Sequence, residues 1–350
     1  MKKLFNCFGS KGSMVKTIVM AVAAVLLCLI PVFCGFMGSG NYYLNVINYI
    51  FVYAIASTGL NIMTGYSGQI NLGGAAYFSV GAYGVVILCN AGVPTILSVV
   101  LAMLIVAFFG FLTAIPAAKL KYHFLALATM AVGEIVNNLL TVSPGGITND
   151  THGMFVKALN VFGFKFVNDT SLYYLLLAMT AVCLLFTWAF LNSKTGRACR
   201  ATRDSVDAAG SCGIDVRKYK IIATVVSCVM IGFAGFLFAY LNRYISPDTF
   251  AAGKSTMFMS MMMLGGSGTL FGPLLGSVLI SLIMEVLRGI PGVGTYMQLT
   301  YGIILLGIMM FMPQGVSGLI TQIRFKRAKK KMEAEARAEK STGGDQNAEG

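Results

Sequence analysis

Charge is scarce in this sequence. Asp, Glu, Lys and Arg make up 11% of 350 residues, where a soluble domain carries about a quarter. Acids are the scarcest, 13 against 26 cations. Apolar residues reach 57%, and a fold this size cannot bury that much and still present a wet surface. A soluble enzyme, a disordered chain and a collagen-like chain are therefore excluded. The two histidines, His123 and His152, are too few and too far apart for a metal site. The eight cysteines form no CxxC pair and mostly lie in apolar runs, where they read as small hydrophobes. No cluster of His, Asp or Cys marks a membrane-embedded enzyme, so no catalytic residue is assigned. A phosphate loop is missing as well. Residues 248–255 end in Gly-Lys-Ser, but Asp248 stands where the loop needs its first glycine.

What is present is hydrophobic length. Mean hydropathy is +0.76, and apolar runs fall at 15–36, 42–63, 75–89, 93–116, 124–142, 171–192, 221–241, 256–264, 274–287 and 298–312. About ten spans of roughly 20 residues fit this length and leave no room for a large soluble domain. The expected fold is an all-α polytopic membrane protein. The expected organisation is a short segment 1–14, a transmembrane domain 15–312 and a basic tail 313–350 ending in disorder. The run after the basic start is longer than a signal-peptide core and lacks a small-residue cleavage site, so it reads as a retained span.

Charge sets the orientation. With the amino terminus inside and ten alternating spans, 21 cations fall inside and five outside, namely Lys157, Lys165, Arg243, Lys254 and Arg288. That split fits the positive-inside rule and places both termini in the cytoplasm. Juxtamembrane cations 324–340 suit anionic lipid rather than nucleic acid.

Two Gly-rich breaks, 65–74 and 265–273, interrupt the apolar pattern. Irregular backbone at membrane depth is tolerated only inside protein or beside water. Gly65, Ser67, Gln69, Asn71, Gly73, Gly265, Gly266 and Gly268 are therefore candidates for a substrate pathway, with close helix packing or inner turns as the alternative. Glu134 lies within a span and is expected to face the bundle interior or an aqueous cavity. Glu285 has Arg288 three residues on and reads as a local pair. In the inner loop 193–220, Arg197, Arg200 and Arg203 recur on one face of a short helix. Asp207, Ala208 and Ala209 form a small-residue surface for a partner, and Gly213 suits a helix end.

The residues also carry a resemblance. GYSGQINLGGAAYFSVGAY at 65–83, YHFLALATMAVGEIV at 122–136, GRACRATRD at 196–204 with Asp207 to Ala209 and Gly213, YISPDTF at 244–250 and LGGSGTLFGP at 264–273 are similar, in order, to motifs of the LivM-type permease subunits of branched-chain amino acid ABC importers. The chain departs from those motifs at Asn71, Asn137 and Asp207. The resemblance implies an ABC permease fold in a bacterial inner membrane, paired with a second related permease. Two cytoplasmic ATPase subunits would hold ATP and magnesium, and an extracytoplasmic binding protein would deliver substrate. This chain itself would bind no cofactor. The segment 197–213 would couple ATP hydrolysis to alternating access. Similar permeases serve urea and short amides, and an ion-coupled carrier is the rival from another class.

Overall fold

The computed structural model describes residues 40–289, apart from 120–121, 144–147, 149–151, 158, 162–163 and 167, and isolated positions on either side. The first expected span lies outside the described residues, as does most of the tenth. Between them the chain forms α1 (Gly40–Asn61), α2 (Gly74–Asn90), α3 (Thr95–Ala117), α4 (Tyr122–Val142), α5 (Asp169–Asn192), α6 (Lys194–Asp204), α7 (Val206–Ser211), α8 (Val216–Asn242), α9 (Ala252–Gly265) and α10 (Gly272–Arg288). A π turn, Ile62–Tyr66, prolongs α1. Among the described residues, five helices are long and apolar enough to cross a bilayer: α1 with its π turn, α3, α4, α5 and α8. The shorter α2, α9 and α10 adjoin the two breaks.

Helices apolar all round should occupy the centre, and those with a free apolar face the rim. In α1 and α8, 78% and 67% of the apolar window is buried, against 22–28% in α3, α4 and α5. The rim helices turn large side chains outward, among them Leu104 and Phe108 on α3 and Leu185 and Trp188 on α5. Such an apolar outer surface suits lipid or another membrane subunit. The centre holds an aromatic cluster, with Phe78 within 5.1–5.7 Å, ring to ring, of Phe238, Phe250 and Phe258. Close helix approach depends on small residues. A Cβ at Gly81 would stand 2.0 Å from Gly232 O, and one at Gly235 1.9 Å from Phe78 O, so α2 and α8 touch backbone to backbone.

The loop before α5 contains strands. β1 (Met154–Phe155) pairs antiparallel with β4 (Tyr244–Ile245), and β2 (Leu159–Val161) with β3 (Phe164–Phe166). Tyr244 OH donates to His152 O at 2.8 Å. Two connections far apart in sequence are thus tied at one end of the bundle.

Candidate functional site

The two breaks meet at the opposite end, beside α6. Asn61 is the last residue of α1. Its Nδ2 donates to Thr269 O at 2.8 Å, and its Oδ1 accepts from Gly268 N at 2.8 Å. A single amide thereby satisfies one backbone acceptor and one backbone donor of a turn that is no longer helical. Gly65 lies in the same contact, where a Cβ would come within 1.9 Å of Asn61 Oδ1 and 2.6 Å of Gly268 N. Arg203 of α6 completes the junction by donating from Nη1 to Gly65 O at 2.5 Å. A Cβ on Gly268, whose φ is +75°, would sit 2.5 Å from the same nitrogen. One guanidinium therefore lies between both breaks.

The loop helices are fixed by their caps. Ser193 Oγ accepts from Gly196 N at 3.3 Å, Ser205 Oγ from Ala208 N at 3.3 Å, and Asp215 Oδ1 from Lys218 N at 3.1 Å. These bonds satisfy amides left free at the first turns of α6, α7 and α8. The three arginines lie on the exposed side of α6, whose buried face is Gly196, Ala198, Cys199 and Thr202, and their guanidinium groups fold back onto nearby carbonyls. Arg197 Nη1 donates to Asn192 O at 2.7 Å, and Arg200 Nη2 to Leu191 O at 2.5 Å. Both carbonyls end α5, where a cation complements the helix dipole. Arg200 also lies 5.8 Å from the Tyr66 ring centroid. The exposed surface continues onto α7 and its flank, with Asp207, Ala208, Gly210, Ser211 and Cys212 exposed and Ala209 buried. Gly213 follows, and Ile214 N donates back to Ala209 O at 3.1 Å.

The other break residues divide by level. Ser67 and Gln69 are buried, and Gln69 Nε2 donates to Ser67 Oγ at 2.9 Å and to Lys220 O at 3.1 Å. Asn71 and Gly73 lie further along, against α4. Leu72 N donates to Thr129 Oγ1 at 3.1 Å, and Gly73 N to Asn71 Oδ1 at 2.8 Å. Among the described residues Gln69 Oε1 and Asn71 Nδ2 have no partner. Gly265 and Gly266 end α9, with Gly265 pressed against Gly272 and Gly276 of α10. The structure therefore joins Gly65, Gly268 and Arg203, and holds Asn71 and Gly73 apart from them.

Of the two settings expected for Glu134, the interior of this chain's own bundle is not the one it occupies. Leu125, Thr129, Val136 and Leu140 form the buried stripe of α4, while Glu134 and Asn138 are exposed on the opposite face. At roughly 100° per residue, Glu134 lies on the far side of the helix from Leu125. Glu285 pairs with Arg288 at 3.8 Å, as its spacing suggested. Asn61 escaped the sequence reading. An amide closing an apolar helix just before a glycine break was its one signal.

Comparison with known proteins identifies the family. Residues 42–312 match the family described as the branched-chain amino acid transport system permease component. The chain is 29% identical over 333 residues to the high-affinity branched-chain amino acid transport system permease protein LivM of Escherichia coli, covering 87% of this chain and 76% of that protein. It is 26% identical over 267 residues to the probable branched-chain amino acid transport permease protein LivH of Methanocaldococcus jannaschii, covering 71% and 83%. It is 25% identical over 227 residues to the autoinducer 2 import system permease protein LsrC of Yersinia pseudotuberculosis, covering 63% of each. No solved structure matches the chain. The matched segment takes in both glycine breaks, α6 and α7, and the chain belongs to the family of branched-chain amino acid ABC transporter permeases.

Proposed function

We propose that this chain is one of two permease subunits of an ATP-driven importer for branched-chain amino acids. Its companion would be a related LivH-like permease. Two ATPase subunits would bind below the permease pair, one of them against α7, and a binding protein would deliver substrate at the far end. The observation that carries this reading is the position of Arg203. It links the loop helices, through one side chain, to the π turn of α1 and to the turn between α9 and α10. A push on α7 would reach both broken segments together. That suits a two-state element whose balance nucleotide shifts. The charge count supports a cytoplasmic α6 and α7.

The exposed face of α4 supports a companion subunit. A carboxylate turned to lipid costs about 2.5–3.5 kcal/mol or more, so Glu134 and Asn138 belong against protein or water. We place the substrate pathway along this face, between the two permeases. The free amide atoms of Gln69 and Asn71 are the polar groups that a moving segment would expose.

Uptake of radiolabelled leucine tests the reading. Vesicles holding the whole system are expected to import leucine only with ATP on the ATPase side. Import by vesicles holding this chain alone, on an ion gradient, would overturn it in favour of a secondary carrier.

A further inference from the structure

At the end of the bundle away from α6, a cleft of about 340 Å³ opens between α1, α8, α9 and α10. Ligand sites commonly run from about 300 to 1,000 Å³. One wall carries Lys254, half-buried near the start of α9. Its Nζ donates to Tyr53 OH at 3.0 Å and lies 5.0 Å and 5.3 Å from the ring centroids of Tyr53 and Phe238. Among the described residues no carboxylate oxygen comes within 4 Å of it. Aromatic faces and a hydroxyl hold this cation in place without neutralising it.

The opposite wall is built by α10. The side chain of Glu285 is 24% exposed, and its only described ion pair is the long contact of 3.8 Å to Arg288, which is itself 66% exposed. A pair so loose and open contributes little, and its carboxylate stays available. Ser281 lines the same wall, and its hydroxyl has no described hydrogen-bond partner. Met257, Met261 and Met284 supply the apolar lining. Thioether chains are flexible and polarisable, and adapt to branched or unbranched aliphatic groups.

Two cations, Lys254 within the aromatic cluster and the more exposed Arg288, and one anion, Glu285, face one cavity beside an apolar wall, and that set matches a particular chemistry. We propose that the cleft is an entry site for a zwitterionic amino acid with an aliphatic side chain. Lys254 takes the carboxylate, Glu285 takes the α-ammonium, and the three methionines take the side chain. A neutral amide such as urea would leave both charges unanswered. The inference rests on the amino-acid reading above and adds a place on this chain where the substrate stops.

A leucine analogue carrying a diazirine, photolysed in membranes that hold the intact system, tests it. Labelling is expected in peptides containing Met257, Met261 or Met284 and is suppressed by excess leucine. Lys254→Met loses at least tenfold of the labelling, and Lys254→Arg keeps it. In the wild type, leucine competes at least tenfold better than 4-methylpentanoate, which lacks the ammonium. Glu285→Gln narrows that gap to within about threefold. Met284→Trp, which leaves both charges in place, blocks labelling by filling the cleft. Membranes that import leucine but label elsewhere, or in which Lys254→Met or Met284→Trp labels like the wild type, would overturn the site alone. An unchanged competition gap in Glu285→Gln would do the same. Membranes that import no leucine would overturn the substrate reading and the site with it.

Discussion

Arg203 and Gly65 are 138 positions apart, yet one hydrogen bond joins them. The contact requires a residue without a side chain, because Asn61 Oδ1 and Gly268 N fill the space where a Cβ would stand. Gly65→Ala is expected to destabilise the detergent-solubilised protein by about 1–3 kcal/mol, since overpacking forces backbone to shift. Gly210→Ala on α7 is the contrast. Nothing lies within 4 Å of its Cβ position, and replacing a helical glycine gains up to about 1 kcal/mol. Thermal unfolding of the two variants checks the sign of each. Little of this was legible beforehand. The arginine stripe and the glycines were visible as local patterns, but their meeting depends on how α1, α6 and α9 pack. The stripe also reads equally well as facing a partner. The carbonyls of Leu191, Asn192 and Gly65 show that it also anchors the loop.

At the scale of elements, hydropathy reported the spans well because burial in lipid or protein rewards the same side chains. Helices α1 to α5 and α8 fall within a few residues of the expected runs, and the short α9 and α10 sit beside the expected break. Hydropathy reported orientation poorly. Apolar residues surround Glu134 on both faces of α4, so nothing in the pattern said which face packs inward. The strand pairs were missed because two or three residues leave no periodic signal. Two expectations follow at this scale. In Glu134→Cys, the thiol of the assembled system is expected to react with a membrane-impermeant maleimide. Leu185→Cys, on the exposed face of α5, stays unlabelled because lipid covers it. Equal silence at both positions would remove α4 from the pathway. On the loop, Cys212 is exposed and Cys199 is buried. Burial pushes the Cys199 thiol up to about 11, so its reactive thiolate is sparse near neutrality and grows about tenfold per pH step as pH rises toward that value. Labelling is therefore expected at Cys212 near pH 7. Cys199 follows only at strongly alkaline pH, and mass spectrometry of the loop peptides distinguishes the two.

At the scale of the whole molecule, two ends carry different chemistry. One end gathers the breaks, α6 and the exposed α7. The other gathers the strand pairs and the cleft of Lys254 and Glu285. The sequence made the first end legible through its cations and glycines. The second end stayed hidden because Tyr53, Phe238, Lys254 and Glu285 come from four helices and form no local motif. The central claim is that force enters through α6 and reaches the breaks through Arg203. Arg197, whose bond to Asn192 is exposed, should matter least of the three arginines. The most direct measurement is leucine imported per ATP hydrolysed, in proteoliposomes holding the complete system with Arg203→Ala in this chain. The expected result is continued hydrolysis with import per ATP reduced at least tenfold, and Arg197→Ala close to the wild type. An Arg203→Ala system that imports as much leucine per ATP as the wild type would contradict the account.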